Sequence, residues 1–156
     1  MKQYHRIIFV AESGTCRAPM AAAILSEQHL NHPIEILSRG LVVLFPEPLN
    51  QKAEAVMISN GIHLENYASK QLSAEDITED TLVIVMEHVQ KERVLALLGD
   101  AITQDSVCVL NELVGEELEI MDPYGTALPS YGLCYESINR SIKKLVKIIN
   151  ENEGEA

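Results

Sequence analysis

The fold is decided near the start of the chain, by the stretch Ile7-Ile8-Phe9-Val10-Ala11-Glu12-Ser13-Gly14-Thr15-Cys16-Arg17-Ala18-Pro19-Met20. Four apolar residues, rich in β-branched side chains, predict a buried strand at its beginning. The proline and the alanines, isoleucine and leucine that follow it predict a helix, because proline fits the first helical position. Only a short loop separates these two elements.

This loop has the features of an anion-binding site. The first N–H groups of a helix have no partner within the helix, and together with the helix dipole they favour a negatively charged ligand. Arg17 adds a planar guanidinium that fits two phosphate oxygens, and Gly14 permits a backbone conformation that larger residues avoid. The sequence therefore predicts a phosphate-binding loop made of Glu12, Ser13, Gly14, Thr15, Cys16 and Arg17.

Strands and helices alternate along the rest of the chain. The predicted strands are 6–10, 34–38, 81–86 and 106–110, and the predicted helices are 19–30, 49–60, 87–98 and 134–150, with a short turn near 73–78. Gly61 and Gly99 stand where helices are expected to end. This alternation predicts a flavodoxin-like three-layer α/β sandwich, with a four-stranded parallel sheet and helices on both faces. We expect one domain over residues 1–150 and a frayed acidic tail over 151–156.

Composition narrows the class of protein. The 156 residues are 47% hydrophobic, which suffices for one core, and the net charge is −11. Such a charge argues against nucleic acid or a membrane surface as partner, because both are bound mainly through clusters of Lys and Arg. With no long apolar run and no signal-peptide layout, a cytoplasmic protein is expected. The cysteines form no paired framework and the histidines have no metal-ligand spacing, so neither a metal nor another cofactor is expected.

A second motif lies far downstream of the loop. The order of strand, small loop, Cys-Arg-x-Pro-Met and helix resembles the low-molecular-weight protein tyrosine phosphatases, and Met121-Asp122-Pro123-Tyr124-Gly125 resembles that family's Asp-Pro-aromatic segment. The resemblance implies a hydrolase of phosphorylated protein side chains. It also implies that Arg17 binds the phosphoryl group, that Asp122 is the general acid, and that Tyr124 flanks the substrate ring.

The residue at the nucleophile position departs from this family. There a cysteine, six residues before the arginine, attacks phosphorus as a thiolate, and the count back from Arg17 ends at Ala11. Ala18 replaces the serine or threonine that assists this thiolate, Gly14 replaces the usual asparagine, and Glu12 stands where an apolar residue is common. Several departures together favour a diverged, catalytically impaired member that binds phosphate, sulfate or a phosphorylated side chain. An engineered Cys-to-Ala substrate-trapping form of an active phosphatase is the alternative.

Several simpler interpretations stay open at this point. The chain could be a regulatory interaction module without an anion site, in which Arg17 is a surface cation and Asp122 only begins a turn. Cys16 stands where the family has a redox-partner cysteine, but that disulfide cannot form opposite Ala11, so an inert thiol is expected. Ser13 as a substitute nucleophile has no base placed beside it by any motif.

The phosphorylated residue is also open. Thr15 stands where the tyrosine phosphatases usually have an aliphatic residue and the related protein arginine phosphatases have threonine. Phosphoarginine is therefore an alternative to phosphotyrosine. Glu12 could receive the guanidinium of such a substrate, or could point to solvent.

Overall fold

A parallel four-stranded sheet forms the centre of the protein. The computed structural model describes residues 1–154. The strands are β1 (Arg6–Ala11), β2 (Glu35–Gly40), β3 (Thr81–Val85) and β4 (Val107–Val109), in the spatial order β2-β1-β3-β4. All three pairings are parallel, and Ile8 of β1 pairs with Leu37 on one side and Val83 on the other. The predicted fold, a parallel α/β sheet of four strands, is confirmed.

Five α-helices connect or follow these strands: α1 (Arg17–Ser26), α2 (Gln51–Ser59), α3 (His88–Leu98), α4 (Leu110–Val114) and α5 (Leu128–Gly154). Single 3-10 turns occupy Ala74–Asp76, Gly99–Ala101 and Gln104–Ser106. The predicted turn near 73–78 is thus present, and Gly61 and Gly99 follow α2 and α3 with φ of 80° and 53°.

The two faces of the sheet bury separate apolar clusters. Alternate side chains of a strand point to opposite faces, so Ile7 and Phe9 of β1 pack with α1, α2 and α5, whereas Ile8 and Val10 pack with α3. Each of these four side chains is at most 1% exposed. The sheet is therefore buried on both sides, as the continuous apolar character of β1 and β3 predicts.

The bounds of α1 and the end of β4 differ from the prediction. Helix α1 begins two residues before the predicted 19 and ends at Ser26, not at 30. The backbone N–H groups of Glu27 and Gln28 close its last turn on carbonyls three residues back. Leu110 was predicted to end a strand, but it begins the short helix α4, whose following residue Gly115 adopts the left-handed conformation.

Helix α5 is longer than predicted at both ends. It begins at Leu128, not at 134, because Pro129 lies in the first turn, where a missing N–H costs no helical hydrogen bond. It continues to Gly154, so residues 151–154 of the expected tail are helical. Residues 155–156 of that tail lie outside the described residues, and the division at residue 150 stays a prediction.

The end of β2 lies directly against the loop that follows β1. A methyl group added to Gly40 would lie 2.7 Å from the backbone of Ser13 and 2.5 Å from a methyl of Val43. Gly14, at φ 73°, would likewise bring a methyl group to 3.0 Å from the Gly40 backbone. Because Gly14 and Gly40 have no side chains, the backbone of the loop contacts the backbone at the end of β2. This contact fixes the position of the loop.

We predict that Gly40→Ala destabilises the protein by about 1–3 kcal/mol, the usual cost of overpacking a filled site. Gly132→Ala is the matched control, because a methyl group there would meet nothing within 4 Å and alanine favours the helix by up to about 1 kcal/mol. Urea unfolding of both variants measures the two effects. If Gly40→Ala were as stable as the parent protein, the contact between Gly40 and the loop would not constrain the loop.

Candidate functional site

The predicted anion loop occupies residues 12–16, between the carboxyl end of β1 and the start of α1. Helix α1 packs on one face of the sheet and α3, which follows the neighbouring strand β3, packs on the other. The loop therefore lies at the position where the connections from adjacent strands diverge, which is the usual ligand site of open parallel sheets. Glu87, at the end of β3, reaches the same position.

The loop is held from outside through its carbonyl groups. The N–H of Leu41 donates to the carbonyls of Ala11 and Glu12, each at 3.0 Å, and the N–H of Asn50 donates to Thr15 at 2.9 Å. The hydroxyl of Tyr67 donates to the Gly14 carbonyl at 2.5 Å. Because these carbonyls bind donors outside the loop, the neighbouring N–H groups of the loop point in other directions.

Three backbone N–H groups of the loop are available to bind a ligand. Within residues 1–154, no protein group accepts a hydrogen bond from the N–H of Ser13, Gly14 or Cys16. Cys16 is the N-terminal flanking residue of α1, and its side chain makes no capping hydrogen bond. The N–H of Thr15, between Gly14 and Cys16, donates to the Ser13 hydroxyl at 3.4 Å. Several backbone donors without protein acceptors, next to a helix N-terminus, form the kind of concavity that binds oxyanions.

Arg17 is buried, with only 2% of the residue exposed. Its Nη1 donates to Oε2 of Glu87 and to the carbonyl of Ile120, both at 2.7 Å. Its Nη2 lies 3.7 Å from Oδ2 of Asp122, which is an ion-pair distance and too long for a hydrogen bond. The structure therefore excludes the surface-cation interpretation of this residue. The edge formed by Nε and Nη2 keeps donors that no described protein group uses.

Glu87 orients this guanidinium, and sequence reasoning did not find it. Gln90, 2% exposed, accepts from the N–H groups of Met86 and Glu87 at 3.0 Å and donates to the Glu87 carboxylate at 3.3 Å. This reciprocal arrangement, a capping box, fixes the carboxylate at the start of α3. The position of Glu87 directly after a strand adjacent to β1 was the available signal.

Asp122 and Tyr124 lie on the exposed segment that precedes α5. Oδ1 of Asp122 accepts from the N–H of Tyr124 at 3.0 Å, so this residue does begin a turn. Its other oxygen is the one near Arg17, and the turn therefore aims a carboxylate at the guanidinium. Tyr124 is 80% exposed.

Five further positions in or next to the loop have ordinary contacts. Ala11 and Ala18 are buried at 3% and 0% exposure. The Ser13 hydroxyl shares a hydrogen bond of 2.8 Å with that of Thr15, and within residues 1–154 no other side chain hydrogen-bonds to either hydroxyl. The half-exposed carboxylate of Glu12 accepts from both Nη atoms of Arg93 on α3. That pair raises the pKa of Arg93, and it was not visible in the sequence.

Cys16 is buried against a second cysteine. The neighbouring thiol of Cys134 on α5, together with burial, raises the pKa of Cys16 well above its ordinary value. A protonated, buried thiol is a poor nucleophile. Cys108, half-buried, has its pKa raised by burial as well.

Two kinds of feature are absent from residues 1–154. This part of the chain contains no group of three His, Cys, Asp or Glu side chains arranged to hold a metal ion. None of its helices combines the length and the apolar character that crossing a bilayer requires.

Comparison with known proteins connects this geometry to one family. Residues 6–155 match the family model described as low molecular weight phosphotyrosine protein phosphatase. The chain is 33% identical to the low molecular weight protein-tyrosine-phosphatase PtpB of Staphylococcus aureus, over 92% of this chain and 99% of the relative.

Solved structures agree with that match. The YwlE arginine phosphatase from Geobacillus stearothermophilus superimposes with a TM-score of 0.87 at 28% identity, over 97% of this chain and 96% of the other. The low molecular weight protein tyrosine phosphatase from T. tengcongensis has a TM-score of 0.82 at 29% identity, over 91% and 97%.

Proposed function

The chain belongs to the low-molecular-weight phosphotyrosine protein phosphatase family, and from this premise we propose that it binds a phosphorylated protein side chain, or free phosphate or sulfate, in the loop of residues 12–17. We further propose that Ala11 occupies the nucleophile position, so that hydrolysis is lost while binding remains. The observation that carries the proposal is the buried Arg17, whose Nε and Nη2 make no hydrogen bond to a described protein group. It directly follows a loop in which the amides of Ser13, Gly14 and Cys16 likewise have no described protein acceptor.

The binding step follows from this donor set. A phosphoryl dianion would accept from the guanidinium edge of Arg17 in the bidentate manner that suits a planar fork, and from the amides of Ser13, Gly14 and Cys16. Glu87 and the Ile120 carbonyl hold the other side of the guanidinium, so little side-chain entropy is lost on binding. An alanine at position 11 also removes the negative sulfur that would otherwise repel the anion.

The chemical step lacks its attacking atom. The family mechanism needs a thiolate at the end of β1, and Ala11 offers a methyl group there. Removing a covalent nucleophile costs on the order of a millionfold in rate. Asp122 retains a carboxylate near Arg17, the place from which a general acid would protonate the leaving oxygen. Tyr124 would flank the leaving group from the same segment.

Both phosphotyrosine and phosphoarginine fit this proposal, because the loop contacts only the phosphoryl group that they share. One similar protein is named a tyrosine phosphatase and another an arginine phosphatase. The hydroxyl groups of Ser13 and Thr15 support phosphoarginine, since they make the loop more polar. The pairing of Glu12 with Arg93 argues against phosphoarginine. The Glu12 carboxylate would have to exchange Arg93 for the guanidinium of the substrate.

Binding of inorganic phosphate tests the proposal. We predict measurable heat with the parent protein, and a dissociation constant at least about tenfold higher in Arg17→Lys, which keeps the charge but loses the fork. Arg140→Ala is the matched control, because this exposed arginine pairs with Glu116 on another surface. Circular dichroism checks that each variant is folded. Equal affinity in the parent and Arg17→Lys, or no heat in either, would favour an interaction module without an anion site.

Restoring the nucleophile tests the loss of hydrolysis. We predict negligible hydrolysis of an aryl phosphate by the parent, weak activity in Ala11→Cys and stronger activity when Ala18→Ser is added, because the hydroxyl stabilises the thiolate. Asp122→Asn should lower the restored rate by about a hundredfold. Ala11→Ser is the control for side-chain size. A full rate in Ala11→Cys alone would indicate an engineered substrate trap, and activity in the parent that Cys16→Ser abolishes would contradict the proposal.

A further inference from the structure

An ion pair joins the anion-binding loop to helix α3, and the proposed binding step does not use it. The Glu12 carboxylate accepts from both Nη atoms of Arg93, from Nη2 at 3.2 Å. The side chains of Arg93 and Glu12 are 44% and 45% exposed. An ion pair as exposed as this adds little to the stability of a fold, because water competes for both charges and screens their attraction. What the pair can change is the charge beside the loop.

Glu12 is covalently next to one of the loop donors. Its carbonyl accepts from the N–H groups of Leu41 and Val42 at 3.0 and 3.1 Å. The N–H of Ser13 belongs to the same trans peptide unit, so it points to the opposite side from these two donors. A glutamate side chain is short, and its carboxylate lies within about 7 Å of the following backbone nitrogen. An anion bound to the Ser13 N–H would therefore lie within about 10 Å, one Debye length at 0.1 M salt, of the Glu12 charge.

Carboxylates outnumber cations around this site. Glu87 and Asp122 lie 2.7 and 3.7 Å from nitrogens of Arg17, and Glu12 adds a third carboxylate on the loop itself. The chain as a whole carries a charge of −11. A phosphate dianion would be repelled by a loop carboxylate that has no cation beside it. The guanidinium of Arg93 supplies that cation to Glu12.

We propose that Arg93 is a positioning residue of the anion site, which holds and neutralises the Glu12 carboxylate so that the loop can accept a phosphate dianion beside it. This inference rests on the proposed function, because it assigns Arg93 a part in the same binding step. Arg93 acts through Glu12 and not by contact with the anion. Helix α3 then compensates two charges at the loop, since Glu87 at its start pairs with Arg17 and Arg93 pairs with Glu12.

Calorimetry with inorganic phosphate at about 10 mM ionic strength tests the proposal. We expect Arg93→Ala to raise the dissociation constant about three- to tenfold, because the Glu12 charge is then uncompensated. Arg93→Lys keeps the charge and should stay within about twofold of the parent. Adding Glu12→Gln to Arg93→Ala removes the repelling carboxylate and should restore the affinity to within about twofold of the parent. The effect of Arg93→Ala should shrink at about 1 M sodium chloride, since both side chains are exposed to the salt.

Arg140→Ala is the matched control for net charge, because it removes one cation from an exposed ion pair on another surface and should leave the phosphate affinity unchanged. Thermal unfolding checks the fold, and Arg93→Ala should melt within about two degrees of the parent. Unchanged affinity in Arg93→Ala, while Arg17→Lys weakens binding, would overturn this inference alone. A loss that Glu12→Gln does not repair would also overturn it, because Arg93 would then not act through Glu12. No phosphate binding by the parent would contradict the proposed function and this inference together.

Discussion

The position of the Arg17 guanidinium is the constraint on which the candidate site depends. It is buried at the junction of β1 and β3, where a cation needs partners to offset its lost hydration. Glu87 supplies a carboxylate and Ile120 a carbonyl, and both bind the same nitrogen. The edge formed by Nε and Nη2 is therefore held in a fixed orientation. Removing either partner would leave a buried charge less well compensated, so the arrangement has to be complete to be stable.

The loop geometry persists without the residue that the family uses for chemistry. Gly14 and Gly40 allow two backbones to touch, and donors from Leu41, Asn50 and Tyr67 fix the loop carbonyls from outside. None of these contacts involves the side chain at position 11. An alanine there is consequently compatible with the fold, and binding and hydrolysis become separable properties. We propose that this separation is the physical basis for a protein that keeps an oxyanion site and lacks turnover.

Local sequence patterns predicted much of the architecture. The parallel sheet could be predicted from three signals: the apolar run of β1, Pro19 near the start of α1, and the alternation of strands and helices. Each strand and helix in that alternation is indicated by residues that are neighbours in the sequence. The start of α5 was missed because proline and glycine are unfavourable in the interior of a helix. Pro129 lies in the first turn, where its missing N–H costs no hydrogen bond, and packing in the core outweighs the cost of Gly132.

The other residues that could not be predicted make their contacts with segments that are distant in the sequence. Glu87 meets Arg17 only because β3 lies beside β1, and Arg93 meets Glu12 only because α3 returns along the sheet. No spacing within the sequence encodes these two pairs. The residues that give the site its charge balance were therefore hidden, whereas those that form the loop were visible.

The central claim is that the loop amides and Arg17 together bind an oxyanion in a protein whose nucleophile position is Ala11. The most direct measurement is the ¹H–¹⁵N spectrum of the parent protein during titration with inorganic phosphate. The account predicts saturable shifts, with one common affinity, of the amides of Ser13, Gly14 and Cys16 and of the Arg17 Nε–H. Shifts confined to other regions, or no saturable shift at these four groups, would contradict it.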